Sequence, residues 1–249
     1  MEYLKLFDNE DNYLAYRNDK DKYIKSNISF CENNENVYYN YPPQNATNIV
    51  YDYVDLGLPS GTLWATQNVG ASKPSESGLF FQFGETKGYR AEQVGTGEGK
   101  KAFNWNNYKW NPSGDGKTFI KYKLKGGQVL SLEDDAAHIN MGGHWKMPNP
   151  DQINELISTA NTTSAWTTSD GVSGVTFTSK KDTSRAIFFP ATGHINGADL
   201  KDAGSKGYIW SSTLRTNYLN SGQILYLLST DSKLDTFSRY EGLPVRGVI

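Results

Sequence analysis

The chain has 249 residues, which allows one domain with an appendage or two small domains. With 37% hydrophobic and 13% aromatic residues a core can form, while 24 Gly and 9 Pro against 21% charged residues exclude a helical bundle. The net charge of −2 provides no basic field for nucleic acid, and the single Cys31 excludes an intramolecular disulfide or a multi-thiolate zinc site.

Residues 1–50 carry 5 basic and 8 acidic side chains and residues 51–249 carry 20 and 19, so the composition shifts near residue 45. Tyr3 to Phe7 alternates weakly, Asp8-Asn9 offers an N-cap, and Glu10 to Arg17 reads as a short helix. Ile28 to Glu32 and Val37 to Tyr39 flank the Asn-rich loop 33–36, which predicts a hairpin and, with the helix, a small βαββ unit. Tyr41-Pro42-Pro43 then forces extended backbone, as a stiff linker does. The expected organisation is therefore a small N-terminal unit with its linker over 1–45 and a larger domain over 50–249.

From Val50 onward the predicted strands are Thr62–Ala65, Leu79–Phe83, Gly174–Thr178, Ala186–Pro190, Tyr208–Ser211, Gln223–Leu228 and Val245–Ile249. Two helices are expected. Ser131 to Asp134 resembles a capping box that opens one, with Leu132, Ala136 and Ile139 on a single face and Gly142-Gly143 as its stop. Asn149-Pro150-Asp151-Gln152 opens the second, followed by Ile153, Leu156, Ile157 and Ala160 at helical spacing. Many short strands with few helices give an α+β class.

Neither glycine-rich stretch, 95–100 or 114–118, meets the spacing of a phosphate-binding loop, and both read as ordinary loops. His138, His144 and His194 have no metal-ligand spacing and read as hydrogen bonders, so no metal and no cofactor are expected. Glu133, Asp134 and Asp135 suit the first turn of a helix, and no nucleophile elbow is present, so no enzymatic activity is expected. Trp64, Trp145 and Trp210 sit in strand-like runs and read as core. Trp105 and Trp110 lie in a polar loop, where packing onto the body outweighs ligand stacking. The first residues lack a basic n-region and an apolar h-region, which predicts no signal peptide, and no apolar run reaches 18 residues, so no membrane span is expected.

The run from Val54 through Trp64-Ala65-Thr66 to Ala71 resembles the opening of the Fibrobacter succinogenes major paralogous domain. Further matches are Phe81 to Thr86, Glu133 to Ala137, Gly142-Gly143-His144-Trp145-Lys146-Met147-Pro148, Phe189 to Gly193, Tyr208 to Thr213 and Gly242 to Arg246, covering about residues 53–249. The resemblance implies a C-type-lectin-like fold. The cysteine pair of the related formylglycine-generating enzymes is missing, as are the tripeptides of calcium lectins, so neither oxidation nor calcium-dependent sugar binding is implied. Residues 1–41 resemble, more loosely, a leader of virion proteins of crAss-like Bacteroidales phages, through Asn27-Ile28-Ser29-Phe30 and Val37-Tyr38-Tyr39-Asn40.

Together these resemblances imply a phage structural protein, a head fibre or decoration protein on the capsid exterior. It would dock on capsid or other virion proteins through 1–45, associate as a dimer or trimer, and face a host surface glycan or protein. A bacterial surface or secreted adhesin of the same family is the rival expectation. By the same resemblance, ligand contacts fall between Trp210 and Arg246. The turn-rich stretches 214–218 and 230–234 supply Arg215, Asn217, Tyr218 and Asp231, and Arg239 and Tyr240 join them, while Ile224, Tyr226 and Leu228 alternate as one strand face.

Overall fold

A computed structural model describes residues 51–249; the helix, hairpin and linker expected within 1–45 lie outside the described residues. The class is α+β, built almost entirely from short antiparallel pieces. β1 (Tyr53–Asp55) pairs with β2 (Leu63–Ala65), and β3 (Phe80–Phe81) is met much later in the chain by β12 (Leu243–Pro244). Two helices follow the long irregular stretch after β3: α1 (Ala136–Met141) and α2 (Pro150–Ile157). β4 (Thr162–Ser169), β5 (Val172–Ser179) and β6 (Ala186–Pro190) form one three-stranded sheet. After the ribbon of β7 (His194–Asn196) and β8 (Asp199–Lys201) come β9 (Gly207–Leu214), β10 (Ser221–Leu227) and β11 (Ser232–Ser238), a second three-stranded sheet with β10 central.

That second sheet is the middle layer of the domain. Ile209, Leu225 and Leu227 point to a core shared with Trp64, Ile153, Leu156, Phe177 and Phe189, whereas Tyr208, Trp210 and Ile224 point to a core with Phe83, Tyr108 and Trp110. All eight residues of β9 are buried. Ile224 and Tyr226 share one face of β10, as their alternation predicts, while Leu228 lies just past its end; Leu225 and Leu227 bury the opposite face, because apolar layers cover the two sides.

α2 follows its N-terminal signals closely but ends at Ile157, so Ala160, expected on its apolar face, lies beyond it and is exposed. The Asn149 side chain accepts from the Gln152 N–H at 2.9 Å, the Gln152 side chain accepts from the Asn149 N–H at 3.0 Å, Pro150 occupies the first turn, and Ile153 and Leu156 are buried. α1 does not. Ser131 caps nothing, since its hydroxyl lies 2.9 Å from the Tyr122 hydroxyl, and Leu132–Asp134 forms a 3-10 turn. The helix begins only at Ala136, where the Asp135 carboxylate accepts the His138 N–H at 2.9 Å; Gly142, at φ 74°, ends it as expected.

The C-terminal stretch 245–249 is not a strand. Arg246 turns inward, and its guanidinium takes the carbonyls of Ala65, Thr66 and Phe188 at 2.9–3.3 Å, while Val248 makes single bridges to Trp64 and to Lys146. Trp64 and Trp210 are core, as read, but Trp145 is half-buried.

Candidate recognition surface

Two excursions leave the β9 side of the middle sheet and meet at their tips. The first, residues 215–220, links β9 to β10 and is closed by the Arg215 N–H donating to the Ser221 carbonyl at 2.9 Å. The second leaves at Ile120, whose N–H is held by the Trp110 carbonyl at 3.0 Å. It returns along β9, where the Leu130 N–H donates to Ser212 and the Leu214 N–H to Gln128, both at 2.8 Å. At its tip the Leu124 N–H is held by the Gln128 side chain at 2.7 Å, and the Gly126 N–H donates to the Thr216 carbonyl at 2.9 Å. This last bond ties the two tips together.

Arg215, Asn217 and Tyr218 are all exposed on the first tip, and the Arg215 guanidinium lies 4.1 Å from the centroid of the Tyr218 ring. Asp231 does not join them. It sits in the β10–β11 turn, at the other end of a seven-residue strand, hence about 20 Å away at roughly 3.3 Å per residue. Its carboxylate is engaged locally with the Ser232 N–H at 2.7 Å. The stretch 230–234 is also only partly a turn, because β11 already begins at Ser232.

Arg239 is corrected most strongly. It is fully buried and meets no ligand surface. Its Nε donates to the Tyr108 hydroxyl at 2.8 Å, Nη1 to the carbonyls of Leu219 and Tyr122 at 2.9 and 3.2 Å, and Nη2 to the Lys121 carbonyl at 3.3 Å. The cation also lies 4.3 Å from the Phe119 ring centroid. One side chain thus holds both excursions from beneath, and burial lowers its pKa from the ordinary arginine value. Tyr240 is half-buried with its ring 4.8 Å from Trp105, which also packs against Tyr108 and Phe119. Trp110 is buried, with Nε1 donating to the Gly84 carbonyl at 3.0 Å. The loop tryptophans are packing residues, as the sequence favoured.

The second excursion carries no candidate residue from the sequence. Ile120, Leu124, Val129 and Leu132 are 55–64% exposed, and residues 123–126 are exposed without interruption. Its base is fixed by Asp134, a buried carboxylate that accepts from the Tyr122 hydroxyl at 2.5 Å and pairs with Lys121, which Glu133 also contacts at 2.7 Å. These acidic partners raise the Lys121 pKa, and burial first, then Asp134, raises that of Tyr122. The sequence signal for it is apolar residues interleaved with lysines, a pattern that matches neither helical nor strand periodicity.

A second cluster of ionisable groups lies inside the domain. His194 Nε2 is 3.2 Å from Glu241 Oε2, and the imidazole stands edge-on to Tyr208 and Phe237 at 4.8 Å each. Burial lowers His194 from its ordinary value and pushes Glu241 up to about 7. Asp202 accepts from the Tyr208 hydroxyl at 2.7 Å and pairs with Lys206 at 3.1 Å. Among the described residues, no group of three His, Cys, Asp or Glu side chains is placed to hold a metal ion. Among them, too, no helix is long and apolar enough to cross a membrane.

No protein-family model matches the chain, and neither a curated protein nor a solved structure matches it.

Proposed function

We propose that the chain is a non-enzymatic attachment protein of a phage virion, a head fibre or decoration protein. Residues 1–45 dock it on the capsid, and a C-type-lectin-like domain faces the host surface. The observation that carries the recognition role is the pair of tied loop tips, which hold Arg215, Asn217, Tyr218 and Leu124 exposed above a middle sheet covered on both sides. The short antiparallel strands and two helices support the lectin-like reading, as does the resemblance of the motifs quoted within residues 53–249 to the paralogous domain. The virion assignment rests on the likeness of residues 1–41 to phage leaders, and association as a dimer or trimer belongs to the same reading.

The test is mass spectrometry and immunogold labelling of purified virions. The chain is expected at stoichiometric abundance on the capsid exterior; recovery of the chain solely from bacterial envelope fractions free of phage would overturn the assignment.

A further inference from the structure

Seven large apolar side chains are strongly exposed among the described residues, and Ile120, Leu124, Val129 and Leu132 belong to one excursion. A fifth, Tyr218, stands on the neighbouring loop to which that excursion is bonded through Gly126 and Thr216. Soluble surfaces scatter such residues singly, so this concentration calls for a partner.

The charge pattern says what kind. Residues 117–132 contain Lys117, Lys121, Lys123 and Lys125 and no Asp or Glu. Lys121 is committed to Asp134 and Glu133, but Lys117, Lys123 and Lys125 are exposed, and Arg215 adds a fourth exposed cation on the adjoining tip. The most exposed apolar side chain, Leu124 at 64%, stands between two of these lysines.

We infer that these paired tips are a docking surface for an anionic lipid bilayer: Leu124 enters the headgroup boundary while Lys123, Lys125 and Arg215 contact the lipid phosphates. The inference deepens the attachment reading by naming what the exposed tips touch. Lysine is depleted from the cores of protein interfaces and leucine is under-represented among their energetic anchors, which disfavours a folded protein as the occupant. Lysines flanking an exposed aliphatic side chain are instead what binding in the interface plane requires, where apolar contact and attraction to anionic headgroups act together. Nothing in this contact spans the membrane.

The experiment is co-sedimentation of the full-length chain with phosphatidylcholine vesicles containing phosphatidylglycerol, with pure phosphatidylcholine vesicles as reference, at low and high salt. Binding is expected only to the anionic vesicles and should fall as salt rises. The double variant Lys123→Glu/Lys125→Glu should bind at least about tenfold more weakly, as should Leu124→Asp, whereas Leu200→Asp, exposed elsewhere, should bind like the parent. Matched thermal unfolding curves establish that the variants fold; Lys123→Gln/Lys125→Gln, which removes charge without reversing it, should give an intermediate loss. Equal partition onto neutral vesicles, absence of binding at low salt, or undiminished binding by the charge-reversed variant would overturn the inference. Absence of the chain from virions would instead sink the attachment reading and leave a positive vesicle result standing.

Discussion

The guanidinium of Arg239 lies beneath Leu219 and donates Nη1–H to its carbonyl at 2.9 Å. The same nitrogen reaches the carbonyl of Tyr122 on the other excursion at 3.2 Å, so one cation sets the spacing of the two tips. Replacing Arg239 with Met keeps much of the volume but leaves buried carbonyls without donors. A loss of about 3 kcal/mol is expected by denaturant unfolding, with faster amide exchange at Gly126 and Arg215. Parental stability in that variant would refute the bracing role.

Changing Arg215, Asn217 and Tyr218 together to Ala should leave the fold intact, since substitutions at exposed positions typically cost under about 0.5 kcal/mol each. Under the proposed attachment role, phage adsorption to host cells should nevertheless fall. Tyr240 is not part of this set, because its ring packs on Trp105 and its loss would confound binding with stability. Adsorption that survives the triple change would remove the first tip from the recognition surface.

Asp135 serves two backbone donors, the N–H of His138 through Oδ1 at 2.9 Å and that of Met147 through Oδ2 at 2.8 Å. Asp135→Ala should therefore cost more than a simple cap, about 2–3 kcal/mol. Asp135→Asn should recover only part of that, because an amide has one acceptor and would turn NH2 toward one of the two N–H groups. Thermal unfolding of the pair of variants checks the order; an Asn variant as stable as the parent would contradict it.

Glu241 and His194 give opposing pH dependences. With its pKa raised from 4.5 to about 7, folded Glu241 holds a proton that the unfolded chain has released, so its contribution to stability falls as pH rises through that window. His194, lowered from 6.5, refuses a proton that the unfolded chain accepts, so its contribution falls as pH drops below that value. Glu241→Gln removes the first dependence. Between about pH 4 and about pH 8, the stability difference should move in favour of the variant by about 3 kcal/mol, measured by urea unfolding. A difference that does not change with pH would show that Glu241 titrates normally.

Legibility in the sequence tracked how local each determinant is. α2 could be read because its cap, its proline and its buried face all lie within one short stretch, and β6 was read at its observed limits because apolar residues fill it. β4 escaped because its sequence, TTSAWTTS, is largely polar and lies at a sheet edge, and β11 escaped because its polar residues read as a turn. Arg239 was misplaced for a different reason. Arginine is rarely buried unless paired, and its partners Tyr108, Lys121 and Tyr122 lie more than a hundred residues away in the chain, so no local pattern announces them.

Arg239 grips the excursions through the carbonyls of Lys121, Tyr122 and Leu219, and the tips are joined through the Gly126 amide and the Thr216 carbonyl. None of these attachments depends on the identity of the side chains at 123–125 or 215–218. Those positions can therefore be exchanged during evolution, or randomised in a library, while the frame beneath them retains its geometry.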